Sequence, residues 1–407
     1  MARKMKDSGI EWIGEIPEGW EVVKAKYLFA QRNEKGNSAL VLLSPTQKYG
    51  VIPQSQLEGV VQVKENTDLR AFKTIHIGDF VISLRSFQGG FEFSNYEGVC
   101  SPAYQVFHAT KDLSNDFFRY LFKSDGFISK INSLTVGIRE GKNIQYWDFS
   151  NMLLALPPKE VQIRSAQYLN AKCTEIDTIL SKTRSSIEEY KKLKQAVITQ
   201  AVATQQCSHI KLKYLMNVIV DCPHETPTYS FTGNYYVIRT ADQALASLRC
   251  DEDMYRLDAS EYKKRTRRLT LDKDDIVYGR EGERWGLACI VPESNKYCLG
   301  QRIMQFRCNT KFLYPKYAMY ALNSEPVYLQ GVADTIGSTS PHVNISTVCN
   351  YLLPVPALTE QKEIANYLDA KCAEIDRLIA KKEQLVKELE SYKKSLIYEV
   401  VTGKREV

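Results

Sequence analysis

Two short stretches combine arginine with glycine, and one of them adds glutamine, in a way that suits the edges of nucleobases. Residues 84–90 (LRSFQGG) follow a strand-like segment, Asp79 to Ser83, and residues 278–286 (YGREGERWG) follow another, Asp275 to Val277. Arg85, Ser86 and Gln88 in the first, and Arg280 and Arg284 in the second, carry side chains that make two parallel hydrogen bonds or a single directed one. Arginine pairs in this way with guanine, and glutamine with adenine. Glycine lets the backbone approach a phosphate. The bland reading is a strand-ending turn with a solvent-facing arginine. Residues 261–268 (EYKKRTRR) set five positive charges against one negative. Lys263, Lys264, Arg265, Arg267 and Arg268 form either a solvated face or a phosphate-binding stripe. Residues 137–143 (GIREGKN) correspond to 337–344 (GSTSPHVN). There Arg139 and Lys142, and Ser338, Thr339 and His342, are donors on glycine-bearing turns that can position a DNA backbone. Arg302 joins this set of candidate DNA contacts.

The paired loops and the paired glycine-bearing turns sit at matching places because the chain is written twice. Residues 168–177 (YLNAKCTEID) and 367–376 (YLDAKCAEID) agree at eight of ten positions, at an offset of 199. Residues 151–157 pair with 350–356 at the same offset, Tyr120, Ser124 and Gly137 with Tyr320, Ser324 and Gly337 at an offset of 200, and 24–28 (KAKYL) with 211–215 (KLKYL) at 187. The order of these landmarks points to duplication. The helical ends stayed alike while the parts before them drifted, as expected of a fixed scaffold carrying a variable reading surface.

Each copy is a globular part followed by a long helix. From Lys159 to Thr204, and from Leu358 to Thr402, there is neither proline nor glycine, which predicts about 67 Å of helix. Apolar steps of three and four select Ile176, Ile179, Tyr190, Leu193 and Val197 in the first, and Ile375, Leu378, Leu385, Leu389, Tyr392 and Leu396 in the second. Thr183, Ser186 and Lys382 interrupt the stripes. The expected architecture is α+β: two similar globular domains separated by two long antiparallel coiled-coil helices, with an internal pseudo-two-fold repeat. The expected boundaries are 1–156, 157–205, 206–355 and 356–407. In the globular parts, Trp20 to Phe29 and Gly78 to Leu84 read as strands. Asp116 to Phe122 and its counterpart Lys316 to Leu322 read as short buried helices.

Composition limits the rest. The chain has 407 residues and a formal charge of +6. No run approaches the ~18 apolar residues of a membrane span, so a cytoplasmic location is expected. Ten cysteines are scattered without a C-x-x-C pair. Free thiols are therefore expected and no metal, the pairs Cys207–His209 and Cys222–His224 reading as chance neighbours. No Asn/Asp-Pro-Pro-Tyr/Phe motif, glycine-rich nucleotide loop or triad spacing is present. Asp251, Asp253, Glu261 and Lys263 only loosely mimic a nuclease carboxylate–lysine set.

Residues 5–17 (MKDSGIEWIGEIP) followed by Trp20, residues 337–339 leading to Pro341, His342 and Asn344, and residues 356–376 with Glu360, Gln361, Tyr367, Leu368 and Asp369 together resemble the specificity subunits of type I restriction–modification systems. The first copy departs in having Glu160-Val161-Gln162 where the second has an adjacent Glu–Gln pair, a drift expected to matter little. The resemblance implies two target-recognition domains, each reading half of an interrupted double-stranded DNA target, and helices that dock two methyltransferase (M) subunits. A restriction (R) subunit then joins. S-adenosylmethionine, ATP and magnesium would be used by those partners, and this chain would carry neither catalysis nor cofactor.

Overall fold

The computed structural model describes residues 3–35, 40–57, 69–83, 90–134, 144–203, 207–249, 251–282, 284–335 and 341–407. The chain divides into two compact units. Unit 1 comprises Met1–Lys182 with Leu385–Val407, and unit 2 comprises Thr183–Gln384. The central helix, Lys159–Val202, and the C-terminal helix, Leu358–Val401, have 44 residues each, about 66 Å at 1.5 Å per residue. Each helix contributes residues to both units.

Unit 1 is built on an antiparallel sheet of β1 (Phe29–Arg32), β2 (Phe80–Ile82), β3 (Phe91–Phe93) and β4 (Gln105–Ala109), in the order β1-β4-β2-β3. α1 (Asn115–Leu121) covers it through Phe117, Phe118 and Leu121. The core is a phenylalanine cluster. Phe29 lies 5.1–6.0 Å, centroid to centroid, from the rings of Phe80, Phe107, Phe118, Phe122 and Phe149, mostly edge-to-face, as aromatic quadrupoles prefer. The Trp20 to Phe29 stretch is not one strand. A 3-10 turn at Ala25–Tyr27 breaks it, because Glu21–Lys24 pairs with Leu153–Leu156 while β1 pairs with β4.

Unit 2 repeats this topology with β5 (Met216–Asp221), β8 (Ile276–Gly279), β9 (Ala288–Ile290) and β11 (Ile303–Cys308), in the order β5-β11-β8-β9. The counterpart of α1 is α3 (Pro315–Leu322). Between β5 and β8 lies a second sheet of β6 (Tyr235–Ile238) and β7 (Tyr255–Leu257), followed by the helix α2 (Ala259–Arg265). β10 (Tyr297–Leu299) completes this sheet, running parallel to β6. Tyrosines replace several of the phenylalanines in the core: Tyr278, Tyr317, Tyr320 and Tyr351 are buried with Met304 and Phe306.

Each core is closed by segments of both long helices. In unit 1, Ala166, Leu169, Ile176 and Leu180 join Leu396, Val400 and Val401 in the phenylalanine cluster. In unit 2, Ile198 and Val202 join Ala365, Leu368 and Cys372. Asp177 accepts from Lys393 at 2.6 and 2.7 Å, which ties the two segments together within unit 1. Within unit 2, Lys194 donates to both carboxylate oxygens of Asp376 at 2.9 and 2.8 Å, and Lys382 lies 5.7 Å from the Tyr190 ring centroid, so the segments run antiparallel there. Lys194 and Lys393, like Asp177 and Asp376, are 199 residues apart, so the two locks are copies of one another with roles exchanged.

The apolar stripe needs correction. Ile176, Ile375 and Leu396 are buried, and Tyr190, Val197 and Leu389 are half-buried. Ile179, Leu193, Leu378, Leu385 and Tyr392 are exposed. Each lies one residue before the true inward position, which is Leu180, Lys194, Ile379, Val386 or Lys393. The inward row admits Thr183 and the two locking lysines, and beside those lysines hydrophobicity alone selects Leu193 and Tyr392.

The glutamine common to both copies closes the start of each long helix. The Gln162 side chain accepts from the Ser114 N–H and donates to the Pro157 carbonyl, both at 2.9 Å. Gln361 accepts from the Tyr314 N–H at 2.8 Å and donates to the carbonyls of Phe312 and Pro356 at 2.9 Å. What drifted in the first copy is the glutamate; the glutamine keeps its place.

Candidate nucleic-acid interface

In unit 2 the loop after β8 is tied down at its base. The Gly279 N–H donates to the Leu287 carbonyl at 2.9 Å, and the Gly286 N–H to the Gly279 carbonyl at 2.7 Å. Trp285 is buried and stacks on Tyr328 at 4.5 Å. Gly286 has φ +88°, and a Cβ there would lie 2.6 Å from the Tyr328 ring, so both the left-handed backbone and the close approach call for glycine. The loop is also stitched to the segment around His342. The Gly282 N–H donates to the Pro341 carbonyl at 2.9 Å, the Val343 N–H to the Arg280 carbonyl at 3.1 Å, and the Arg280 N–H to the Arg302 carbonyl at 3.0 Å. Arg280, Arg302 and His342 are thereby brought together.

These arginines differ in what they can offer. Arg280 is buried, its guanidinium 3.3 Å from both Asp221 oxygens and 2.7 Å from Glu281. It holds the corner of β5 against the loop and reaches a base only by giving up those partners. Arg284 is exposed, with one nitrogen donating to the carbonyls of Ala241 and Gln243. Arg302 sits at φ +69°, a left-handed conformation that costs an arginine about 1 kcal/mol. Asp221, Cys222 and His224 place ligand-type atoms within 4.8 Å of one another. Asp221 is already paired with Arg280 and His224. The Cys222 sulfur accepts from the Arg302 N–H, and burial pushes its thiol pKa up. The hydrogen bond favours a thiolate, but burial outweighs it and works against a thiolate ligand.

The basic run lies on α2 and just beyond it. Lys263, Lys264, Arg267 and Arg268 are exposed. Arg265 faces inward one turn after Tyr262 and is buried. It donates to the carbonyls of Leu299 at 2.9 and 3.0 Å, Glu225 at 2.9 Å and Pro223 at 3.4 Å. Arg265 is thus a clamp between α2, β10 and the 223–225 segment. Arg85, Ser86, Gln88, Arg139, Lys142, Ser338 and Thr339 lie outside the described residues.

One cluster escaped the reading of the sequence. Tyr229 and Tyr255, both exposed, meet edge-to-face at 4.6 Å. The Arg239 guanidinium lies 3.7 Å over the Tyr255 ring and is held by two bonds of 2.8 and 2.7 Å to Asp242. Arg256 lies 5.4 Å over Tyr236. The density of tyrosines in residues 229–236 (YSFTGNYY) was the available signal.

A family model described as the type I restriction modification DNA specificity domain matches residues 222–389. The chain matches the type I restriction–modification specificity (S) subunit family. It is 21% identical over 418 aligned residues to the type I restriction enzyme MjaVIII specificity subunit of Methanocaldococcus jannaschii, covering 96% of this chain and 93% of that one. It is 29% identical over 132 residues to the EcoBI specificity subunit of Escherichia coli, covering 32% of this chain and only 27% of that relative's length. Its fold is similar to a chain from a structure of complex assembly and conformational transition of the type I R-M system, with TM-score 0.70 at 17% identity, covering 96% and 99% of the two chains. It is also similar to the HsdS subunit of Thermoanaerobacter tengcongensis, with TM-score 0.53 at 16% identity, covering 96% and 98%. The specificity-domain match takes in the loop at 279–286, the basic run and the tyrosine cluster. Among the described residues, no helix is long and apolar enough to cross a membrane.

Proposed function

We propose that this S-subunit relative is the non-catalytic DNA reader of a type I restriction–modification complex. Residues 1–156 and 206–355 act as target-recognition domains, each reading one half of a bipartite duplex. The helices, spanning 157–205 and 356–407, pair as an antiparallel coiled coil with pseudo-two-fold symmetry. They set the spacing between half-sites and dock two methyltransferase subunits, and restriction subunits join the assembly. S-adenosylmethionine, ATP and magnesium belong to the partners.

The observation that carries this reading is one scaffold built twice with two different surfaces. The four-stranded sheets share a strand order, and the Lys–Asp locks exchange roles between copies. The segments following β2 and β8 share almost no sequence. A reader of two unlike half-sites requires that combination. In unit 2, Arg284 and Arg302 are the candidate base-edge contacts, with Arg280 released from Asp221 on binding. Lys263, Lys264, Arg267 and Arg268 are the phosphate contacts. In unit 1, Arg85, Ser86 and Gln88 are assigned to bases, with Arg139 and Lys142 as backbone contacts. Ser338, Thr339 and His342 take the corresponding place in unit 2.

The test reconstitutes the full chain with its methyltransferase partners and maps methylated adenines on a sequence library. Two fixed half-sites at constant separation are expected. Exchanging residues 279–286 for an unlike loop should alter one half alone. Loss of preference in both halves together would refute the modular reading.

A further inference from the structure

Phe231 is fully exposed, and the backbone on either side of it is held against β7. Single exposed apolar side chains are ordinary on protein surfaces, so exposure alone assigns nothing. What distinguishes this ring is how it is held and what surrounds it. On one side, the Ser230 N–H donates to the Arg256 carbonyl at 2.8 Å, forming a bridge to β7. On the other side, Gly233 lies so close to β7 that a Cβ would come within 2.1 Å of the Leu257 carbonyl oxygen. The turn between them therefore stands on β7 as a pinned projection with Phe231 at its tip.

The surroundings are cationic and aromatic. Tyr229 precedes the turn and meets Tyr255, which lies under Arg239; Arg256, whose carbonyl holds the turn, covers Tyr236. β7 runs directly into α2, which carries the exposed lysines 263 and 264. α2 is hooked to the segment before the turn by Arg265, which donates to the Glu225 and Pro223 carbonyls, and by the Lys264–Glu225 ion pair at 2.8 Å. The projecting turn and the phosphate-type cations are thus linked through β7 on one side and through the 223–225 segment on the other.

We infer that Phe231 is a wedge that enters the duplex at a base step of the half-site read by unit 2. The inference rests on the DNA-reading function proposed above. Apolar side chains on rigid projections unstack neighbouring base pairs when flanking cations hold the backbone. A pocket for an extruded base would need walls around the ring, and a fully exposed ring has none, so the ring goes to the base step and no base comes to it. Tyr229, Tyr255 and the two arginines form the platform behind it.

The experiment uses the full chain with its methyltransferase partners and duplexes carrying 2-aminopurine at one position at a time across the half-site. Phe231→Ala and Phe231→Trp are compared with the parent chain. One step should brighten with the parent chain and with Phe231→Trp, and stay dark with Phe231→Ala. Any base extruded by a partner methyltransferase should brighten with all three. Phe231→Ala should weaken specific binding about tenfold, the order expected for one stacked ring, while the salt dependence is unchanged. If the parent complex binds a bipartite duplex but no brightening depends on Phe231, the wedge is overturned and the reading function stands. If Phe231→Ala impairs methyltransferase association instead, the ring is a protein contact and the wedge is overturned. If the parent complex shows no specific duplex binding, the reading function falls and the wedge with it.

Discussion

The two Lys–Asp locks have the same chemistry in different surroundings, which yields a quantitative test. In unit 2 the Lys194 side chain is 6% exposed and Asp376 46%. In unit 1 the corresponding values are 27% for Lys393 and 56% for Asp177. Asp376→Ala leaves an ammonium group in the inward row of the helix pair with two hydrogen bonds lost. Removing one partner of a fully buried pair costs about 3–5 kcal/mol. Water reaching the vacated carboxylate site lowers this to about 2–3 kcal/mol. Asp177→Ala uncovers a lysine that already touches solvent and should cost about 0.5–1 kcal/mol. Lys194→Met combined with Asp376→Ala should recover most of the loss, since the charge needing a partner is gone. Urea denaturation of the full chain and a double-mutant cycle at each lock measure all of this. Equal costs for Asp376→Ala and Asp177→Ala, or no recovery with Lys194→Met, would refute the reasoning that burial separates the two locks.

Gln361→Leu keeps the volume but orphans the Tyr314 N–H and two carbonyls, and should destabilise unit 2 by about 3 kcal/mol in denaturant titration. Glu92 is buried on β3, and burial pushes its carboxyl up to about 7 although Lys123 lies 2.6 Å away. A raised folded-state value means its stabilising contribution is complete below pH 4.5 and is lost as pH rises towards 7. Glu92→Gln should therefore flatten the fall in melting temperature over that window, and an unchanged profile would remove Glu92 as its cause. Neutralising Lys263, Lys264, Arg267 and Arg268 should lower the slope of log K against log salt by up to about 3–4. Arg265→Ala should instead lower thermal stability, read by calorimetry, because its donors hold main-chain carbonyls. Replacing Arg302 should relax preference at one half-site by ~1–3 kcal/mol in competition binding, leaving the other half unchanged.

How far the sequence could be read depended on which forces wrote each element. The long helices were legible because about 45 residues without proline or glycine admit little else. Their inward row was not, since Thr183, Lys194 and Lys393 occupy it and their exposed neighbours Leu193 and Tyr392 are more apolar. The short strands resisted pattern reading for another reason. Phe80, Val81 and Ile82 are buried on both faces, so no alternation marks them, and Ala25–Tyr27 turns inside what looked like one strand. In the basic run, the period of α2 turns Arg265 inward and leaves Lys264 outside. That split was available from helix geometry once the helix was known. The tyrosine cluster combines residues from β6, β7, the turn before β6 and the segment after it, and only the fold assembles such a group.

The side-chain hydrogen bonds of Gln162 and Gln361 go to backbone atoms. A side chain that answers to the main chain alone is indifferent to what its neighbours become, because every residue type but proline brings the same N–H and every one the same carbonyl. Ser114 in one copy faces Tyr314 in the other, and the glutamine cannot tell them apart. After a gene is doubled, contacts of this kind outlive those between side chains. They become the fossils by which two estranged halves can still be seen as kin.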